Sequence, residues 1–212
     1  MLHLQADSVL EVTIHSAHDL QDVERGGDND AYVRVYVDLN QNEPYKKTSV
    51  KKNSGSEPSW EESFELHKIR PEYTDLFVEI LDEEKGTDAP IAFAAIPLSQ
   101  LNDAPDKSLS ARYDVYNKHG LPQGQISLTI RVVQPGQVSS GRITYDGSFK
   151  KGVSRVDEEQ HKRFKKMVMK ENMQDAGAAT VLGGIAALGA GFLANTAKKA
   201  SESKKHDEAE DQ

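Results

Sequence analysis

The sequence predicts an all-β chain, an eight-stranded antiparallel β-sandwich with a C-terminal helical and low-complexity extension. Three observations carry this reading. Between residues 8 and 133, short runs alternate apolar and polar side chains with the period of two that a half-buried strand requires. Gly, Pro, Asn and Asp separate the runs, and no long helical period interrupts them. Beyond residue 154 the period becomes helical, and residues 176–194 carry no charge.

The first strand is predicted over 8–14, with Val9, Glu11 and Thr13 opposite Leu10, Val12 and Ile14. The second, over 31–39, sets Tyr32, Arg34, Tyr36 and Asp38 against Val33, Val35 and Val37. Six more follow at 47–51, 59–66, 76–81, 91–97, 111–116 and 125–133. Trp60, Phe64, Phe77 and Phe93 read as core. The sandwich accordingly occupies 7–134, and 135–153, rich in Gly, Ser and Pro, reads as a flexible linker. Ser154 with Asp157 three residues on resembles a capping box, starting a helix over about 155–174 within a segment 154–175. That helix is basic, with Lys162, Arg163, Lys165, Lys166 and Lys170.

Residues 176–197 are rich in Gly and Ala. As a helix, 176–194 would be roughly 28 Å long, close to the hydrocarbon thickness of a bilayer. Ala179, Gly183, Ala187 and Gly191 form a small-residue stripe at four-residue steps, which lets helices approach closely. The segment reads as a helix that spans or lies on a membrane, as a helix packing on a partner, or as a flexible Gly/Ala tail. A charged tail, 198–212, is expected to be disordered.

Composition narrows the function classes. The chain has 212 residues, enough for one well-cored domain and an extension. Cysteine is absent, which removes disulfides and thiolate metal sites and fits a reducing compartment. The N-terminus lacks the pattern of a secretory signal, so a cytosolic setting is expected. Residues 1–134 hold 13 basic and 23 acidic side chains, whereas 140–170 hold 9 basic and 4 acidic. An acidic body before a basic segment argues against nucleic-acid binding. No P-loop, G-x-S-x-G, H-E-x-x-H or C-x-x-C occurs, so the chain reads as non-enzymatic.

The acids are concentrated where strands begin and end. "LQDVERGGDNDAYVRV" (20–35) crowds Asp22, Glu24, Asp28 and Asp30 at the entrance of the second strand. It resembles the first calcium-binding loop of the C2 domain, the calcium- and phospholipid-binding β-sandwich family. "NSGSEPSWEESFEL" (53–66) and "VEILDEEKGTDAPIAFAAIPL" (78–98) resemble that family's Trp-containing stretch and its acidic third loop. The likeness covers about residues 7–134, and the first strand so near the N-terminus matches the family's second topology. The resemblance implies calcium held by Glu24, Asp30, Asp82, Glu84 and Asp88, with Asp22, Asp28 and Glu83 at the periphery. The third loop departs from the family spacing: Asp82 and Asp88 keep a six-residue step, but Ile80 stands where a paired acid is expected.

Calcium is a hard cation that takes six to eight oxygens, and two acidic loops at one end can supply them. Without metal such a tip repels anionic lipid; with metal it can bridge to phosphate. Lys46, Lys47, Lys51 and Lys52 in "PYKKTSVKK" form a candidate lipid-binding cluster, and a regular strand puts Lys47 and Lys51 on the face opposite Lys46 and Lys52. The basic helix is a second candidate lipid contact. Two functions follow as expectations: a peripheral membrane-targeting protein that binds anionic phospholipid with calcium, or a calcium-independent protein-interaction scaffold that self-associates through its small-residue helix.

Overall fold

The computed structural model describes residues 8–24, 27–40, 45–135 and 148–182. Met1–Asn172 form one compact unit, and a second begins at Met173. Eight strands build the sandwich: β1 (Val9–His18), β2 (Ala31–Tyr36), β3 (Lys46–Lys47), β4 (Ser59–Leu66), β5 (Asp75–Asp82), β6 (Ala89–Pro97), β7 (Ser108–Tyr116) and β8 (Pro122–Val133). One layer runs β3-β2-β5-β6 and the other β7-β8-β1-β4. All of these pairings are antiparallel, and the layers meet through the single pair Phe93–Tyr116. The first strand lies beside the last, as the second topology requires.

The core follows from the alternation. Leu10, Val12 and Ile14 of β1, Val33 and Val35 of β2, and Leu128 and Ile130 of β8 are buried between the layers. Trp60 joins them, with its indole N–H donating to the Ala31 carbonyl at 3.3 Å. Phe64 packs at the margin of this core. Phe77 and Phe93 do not: they point to the outer face of β5 and β6, where Phe77 stacks on Tyr36 and Phe93 meets Phe164 at 4.7 Å.

That outer face is covered by the chain's own C-terminal segment. Residues 148–153, read from sequence as part of a linker, include β9 (Lys150–Lys151), which pairs in parallel with β7. Arg155 then exchanges both backbone hydrogen bonds with Ala95 of β6. This extended pairing keeps Ser154 from capping a helix; its hydroxyl donates to the Asp114 carbonyl instead. The cap is Asp157, whose Oδ1 accepts the N–H groups of Glu159 and Gln160. The helix α1 is Glu158–Leu182, longer at its far end than the expected 174.

Helix α1 is fixed to the sandwich by polar as well as apolar contacts. Phe164 is fully buried, and His161 stacks on Phe93 at 5.1 Å. Gln160 is fully buried and donates to the Val78 carbonyl at 3.0 Å. Arg155 pairs with the buried Asp75 at 2.8 Å. Arg163 approaches the fully buried Glu79 at 3.5 Å and lies over the Tyr36 ring, whose hydroxyl also donates to Glu79. Of the expected basic helix residues, Arg163 is therefore turned inward, Lys162 pairs with Glu158 and Glu159, and Lys165, Lys166 and Lys170 face solvent. Among the described residues no helix is long and apolar enough to cross a membrane. Of the small-residue stripe, Ala179 lies within α1, and Gly183, Ala187 and Gly191 lie outside the described residues, as do 183–197 of the Gly/Ala segment and the tail.

Candidate functional site: an acidic cleft between two loops

Loop one (19–30) joins β1 to β2, and loop three (83–88) joins β5 to β6. They meet because β2 and β5 pair from Ala31 opposite Asp82 onward. The Glu83 N–H donates to the Asp30 carbonyl, and the Asp30 N–H donates to Asp82 Oδ1 at 2.6 Å. Loop one is braced from inside by Asn29, which is fully buried. Its amide donates to the carbonyls of Gln21 and Gly55, and its Oδ1 accepts the Val23 N–H. Sequence reasoning passes over Asn29; its only signal is a short polar side chain flanked by acids in a turn.

The candidate acids separate into two groups. Glu24, Asp30, Asp82 and Glu84 sit close enough to act on one another. Partial burial, then the charges of Asp30, Glu84, Asp22 and Asp28, hold the Glu24 carboxyl above its ordinary value. Burial pushes Asp82 up to about 6, helped by Glu84, Glu24 and Asp30 and opposed by the Asp30 N–H. Asp82 is 1% exposed, and its Oδ2 has no hydrogen-bond partner. Asp88 is drawn elsewhere: it accepts from the Tyr32 hydroxyl, from Arg34 at 3.4 Å and from the Glu84 N–H. Asp22 caps the turn ahead of Glu24 by accepting its N–H, and Asp28 lies on the exposed rim beside Gly55.

The four lysines do not keep the two-faced division that a regular strand would give. Thr48 is buried and exchanges hydrogen bonds with Val33 through both its hydroxyl and its N–H, so β3 ends at Lys47. The period-two rule then fails across 48–51, and Lys47 and Lys52, expected on opposite faces, both reach Glu83, at 3.7 and 3.0 Å. Lys52 also donates to Asp30 Oδ2 at 2.8 Å, while the Asn53 N–H donates to Asp30 Oδ1. The Lys52 hydrogen bond, then that of Asn53, keeps the Asp30 carboxyl below its ordinary value. Lys47 lies 3.7 Å over the Tyr32 ring. Lys46 sits opposite Val35 and Lys51 bridges Ala31, both half-buried at the sheet edge.

Among the described residues, no three acids or histidines converge as folded into a metal-holding group. The donors still suit a hard cation in kind. They are carboxylate oxygens from two tied loops, and the buried Asp82 Oδ2 lacks any proton donor. The arrangement is held off by Lys52 on Asp30 and Glu83, and by Tyr32 and Arg34 on Asp88. His15 and His18, the close pair in sequence, part company: His15 meets Glu61 and Thr129, and His18 meets Glu57.

Residues 8–115 match the C2 domain family. This chain belongs to it. An Arabidopsis thaliana protein named "Calcium-dependent lipid-binding protein" is 31% identical over 111 residues, 51% of this chain and 20% of that protein. "Protein SRC2 homolog" from the same plant is 28% identical over 129 residues, 58% of this chain and 40% of the relative. The chain thus spans less than half the length of either curated relative. Among solved structures, a C2 domain of plant Extended Synaptotagmin 1 matches with a TM-score of 0.54 at 18% identity, covering 63% of this chain and 100% of that domain, a likeness of fold. The C2 match stops inside β7, so β8, β9 and α1 complete the unit from beyond it.

The tip of the C2 sandwich and α1 line one cavity. A cavity of about 210 Å³ is lined by Asp22 and Val23 of loop one, Pro90 and Ile91 of β6, Lys118, and Val168, Glu171 and Asn172 of α1. The acidic cleft and the outer end of this stretch of helix therefore lie at one end of the unit.

Proposed function

We propose that this C2 protein is a non-enzymatic membrane-targeting module that associates peripherally with anionic phospholipid, with calcium as the coupling ion. The observation that carries the reading is Asp82: a buried carboxylate with an unpartnered oxygen, facing Glu24, Asp30 and Glu84. Those four side chains would hold the ion, and bound calcium would supply the positive charge that the tip needs to meet phosphate. The name of the 31% identical relative supports the same pairing of calcium and lipid. Lys165, Lys166 and Lys170 on the exposed face of α1 add attraction to an anionic leaflet, about 1 kcal/mol per residue near the surface. Two weak contacts on one chain then act as one stronger one.

Flotation of the full chain with phosphatidylserine vesicles, in calcium and in chelator, tests this. Calcium-dependent flotation that Asp82→Asn abolishes is the expected result. Flotation equal in calcium and chelator overturns the calcium role. No flotation in either favours a second reading, a calcium-independent protein-binding scaffold, which the neutralisation of Asp30 by Lys52 supports.

A further inference from the structure

The acidic cleft already contains a cation of the protein's own. The Lys52 ammonium sits 2.8 Å from Asp30 Oδ2 and 3.0 Å from Glu83 Oε2. The next residue, Asn53, holds a left-handed backbone at φ 49° and turns its N–H onto Asp30 Oδ1 at 2.8 Å. Lys52 and Asn53 thus occupy both oxygens of one of the four coupled acids. Behind them, Asp82 keeps its unpartnered, buried Oδ2 among the same cluster.

Burial is graded across the cleft. The side chain of Lys52 is 57% exposed, those of Glu83 and Asp30 are 38% and 23%, and Asp82 as a residue is 1%. The ammonium is the outermost layer, and the carboxylate with the unpartnered Oδ2 is the innermost. An exposed lysine on a four-carbon stem can swing into water without leaving a buried hole, and an exposed ion pair of this kind holds it weakly. A divalent cation reaching Asp82 needs the Asp30 oxygen that Lys52 holds, because six to eight oxygens must be gathered from few residues.

We propose that Lys52 is a tethered competitor for the divalent cation, closing the cleft in the absence of metal and leaving Asp30 and Glu83 when metal enters. The proposal rests on the calcium reading above and adds its regulation: Lys52 sets a threshold concentration below which the cleft stays closed. Charge-removing modification of the Lys52 amine would lower that threshold, since acylation takes away both the charge and the ion pair.

Calorimetric titration of the chelator-stripped full chain with calcium chloride tests the competition, using wild type, Lys52→Met and Lys52→Arg. The methionine variant keeps the length of the stem. It is expected to bind calcium about fivefold more tightly, the upper range for loss of one exposed ion pair, and the arginine variant no more tightly than wild type. In parallel, amine acylation read by mass spectrometry is expected to be several-fold faster at Lys52 in calcium than in chelator, with Lys165 as the unaffected control. Calcium binding by Lys52→Met alone also supports competition, and shows that the wild-type cleft stays closed. Equal affinities with unchanged Lys52 labelling overturn the competition and leave calcium binding standing. No binding by wild type or Lys52→Met overturns calcium binding and the competition together.

Discussion

Two carboxylates three residues apart on β5 have opposite surroundings. Glu79, mid-strand, lies under α1 with the Tyr36 hydroxyl and the Arg163 guanidinium on the same oxygen. Asp82, at the strand end, has one backbone N–H and otherwise faces other acids. Both are buried, and each leaves one oxygen without a partner. The difference is the charge brought to them. Glu79 is neutralised from within, so it ties the helix to the sheet. Asp82 is left negative among negatives, and a fold retains such a group at a cost only where an outside cation or a proton completes it.

Removing the helix contact should have the largest effect. Phe164→Ala empties a fully buried site against Phe93 and is expected to cost about 3–5 kcal/mol in urea unfolding of the full chain, with the acidic cleft unaffected. Arg163→Met strips Glu79 of its cation; because Arg163 is a quarter exposed, a loss of about 2 kcal/mol is expected in the same assay. At Asp82 the sign reverses. Asp82→Asn should stabilise the chain in chelator at neutral pH by on the order of 1 kcal/mol, for relief of an unpaired buried carboxylate, and so raise its melting temperature.

The pH dependence sharpens the contrast. The folded Asp82 carboxyl titrates near 6 against an ordinary 3.8, so between these values the folded chain holds more proton than the unfolded one. Stability from this group is therefore present at low pH and falls as pH rises from about 4 to 6. Melting curves across that window should show the decline in wild type and lose it in Asp82→Asn. Calcium should raise the melting temperature of wild type only.

The strands were legible because β1, β2 and β8 alternate cleanly, and the acids at 22–30 and 82–88 were legible as two strand ends. Two features were not. Lys52 reaches the acids only because Thr48 ends β3 early, and no period-two argument includes a side chain that replaces a ladder. The helix start moved from Ser154 to Asp157 because Arg155 pairs with Ala95 across 60 residues of sequence, a contact local capping rules cannot see. The docking of α1 did leave a trace: "AFAAI" in β6 is apolar on both faces, which an exposed sheet would not be.

The short stretch from Lys150 to Arg155 has one more consequence. It pairs first with β7 and then with β6, the two strands whose mutual ladder is the single pair Phe93–Tyr116. Gly152 lets it pass: a Cβ there would collide with the Tyr113 ring. The stretch works as a gasket along the seam of the two sheets. A chain cut after Val133 would open that seam and bare hydrogen-bonding groups on two sheet margins, the kind of surface that recruits other strands. Its aggregation on storage would then report a leak at the seam rather than a fault in the acidic tip.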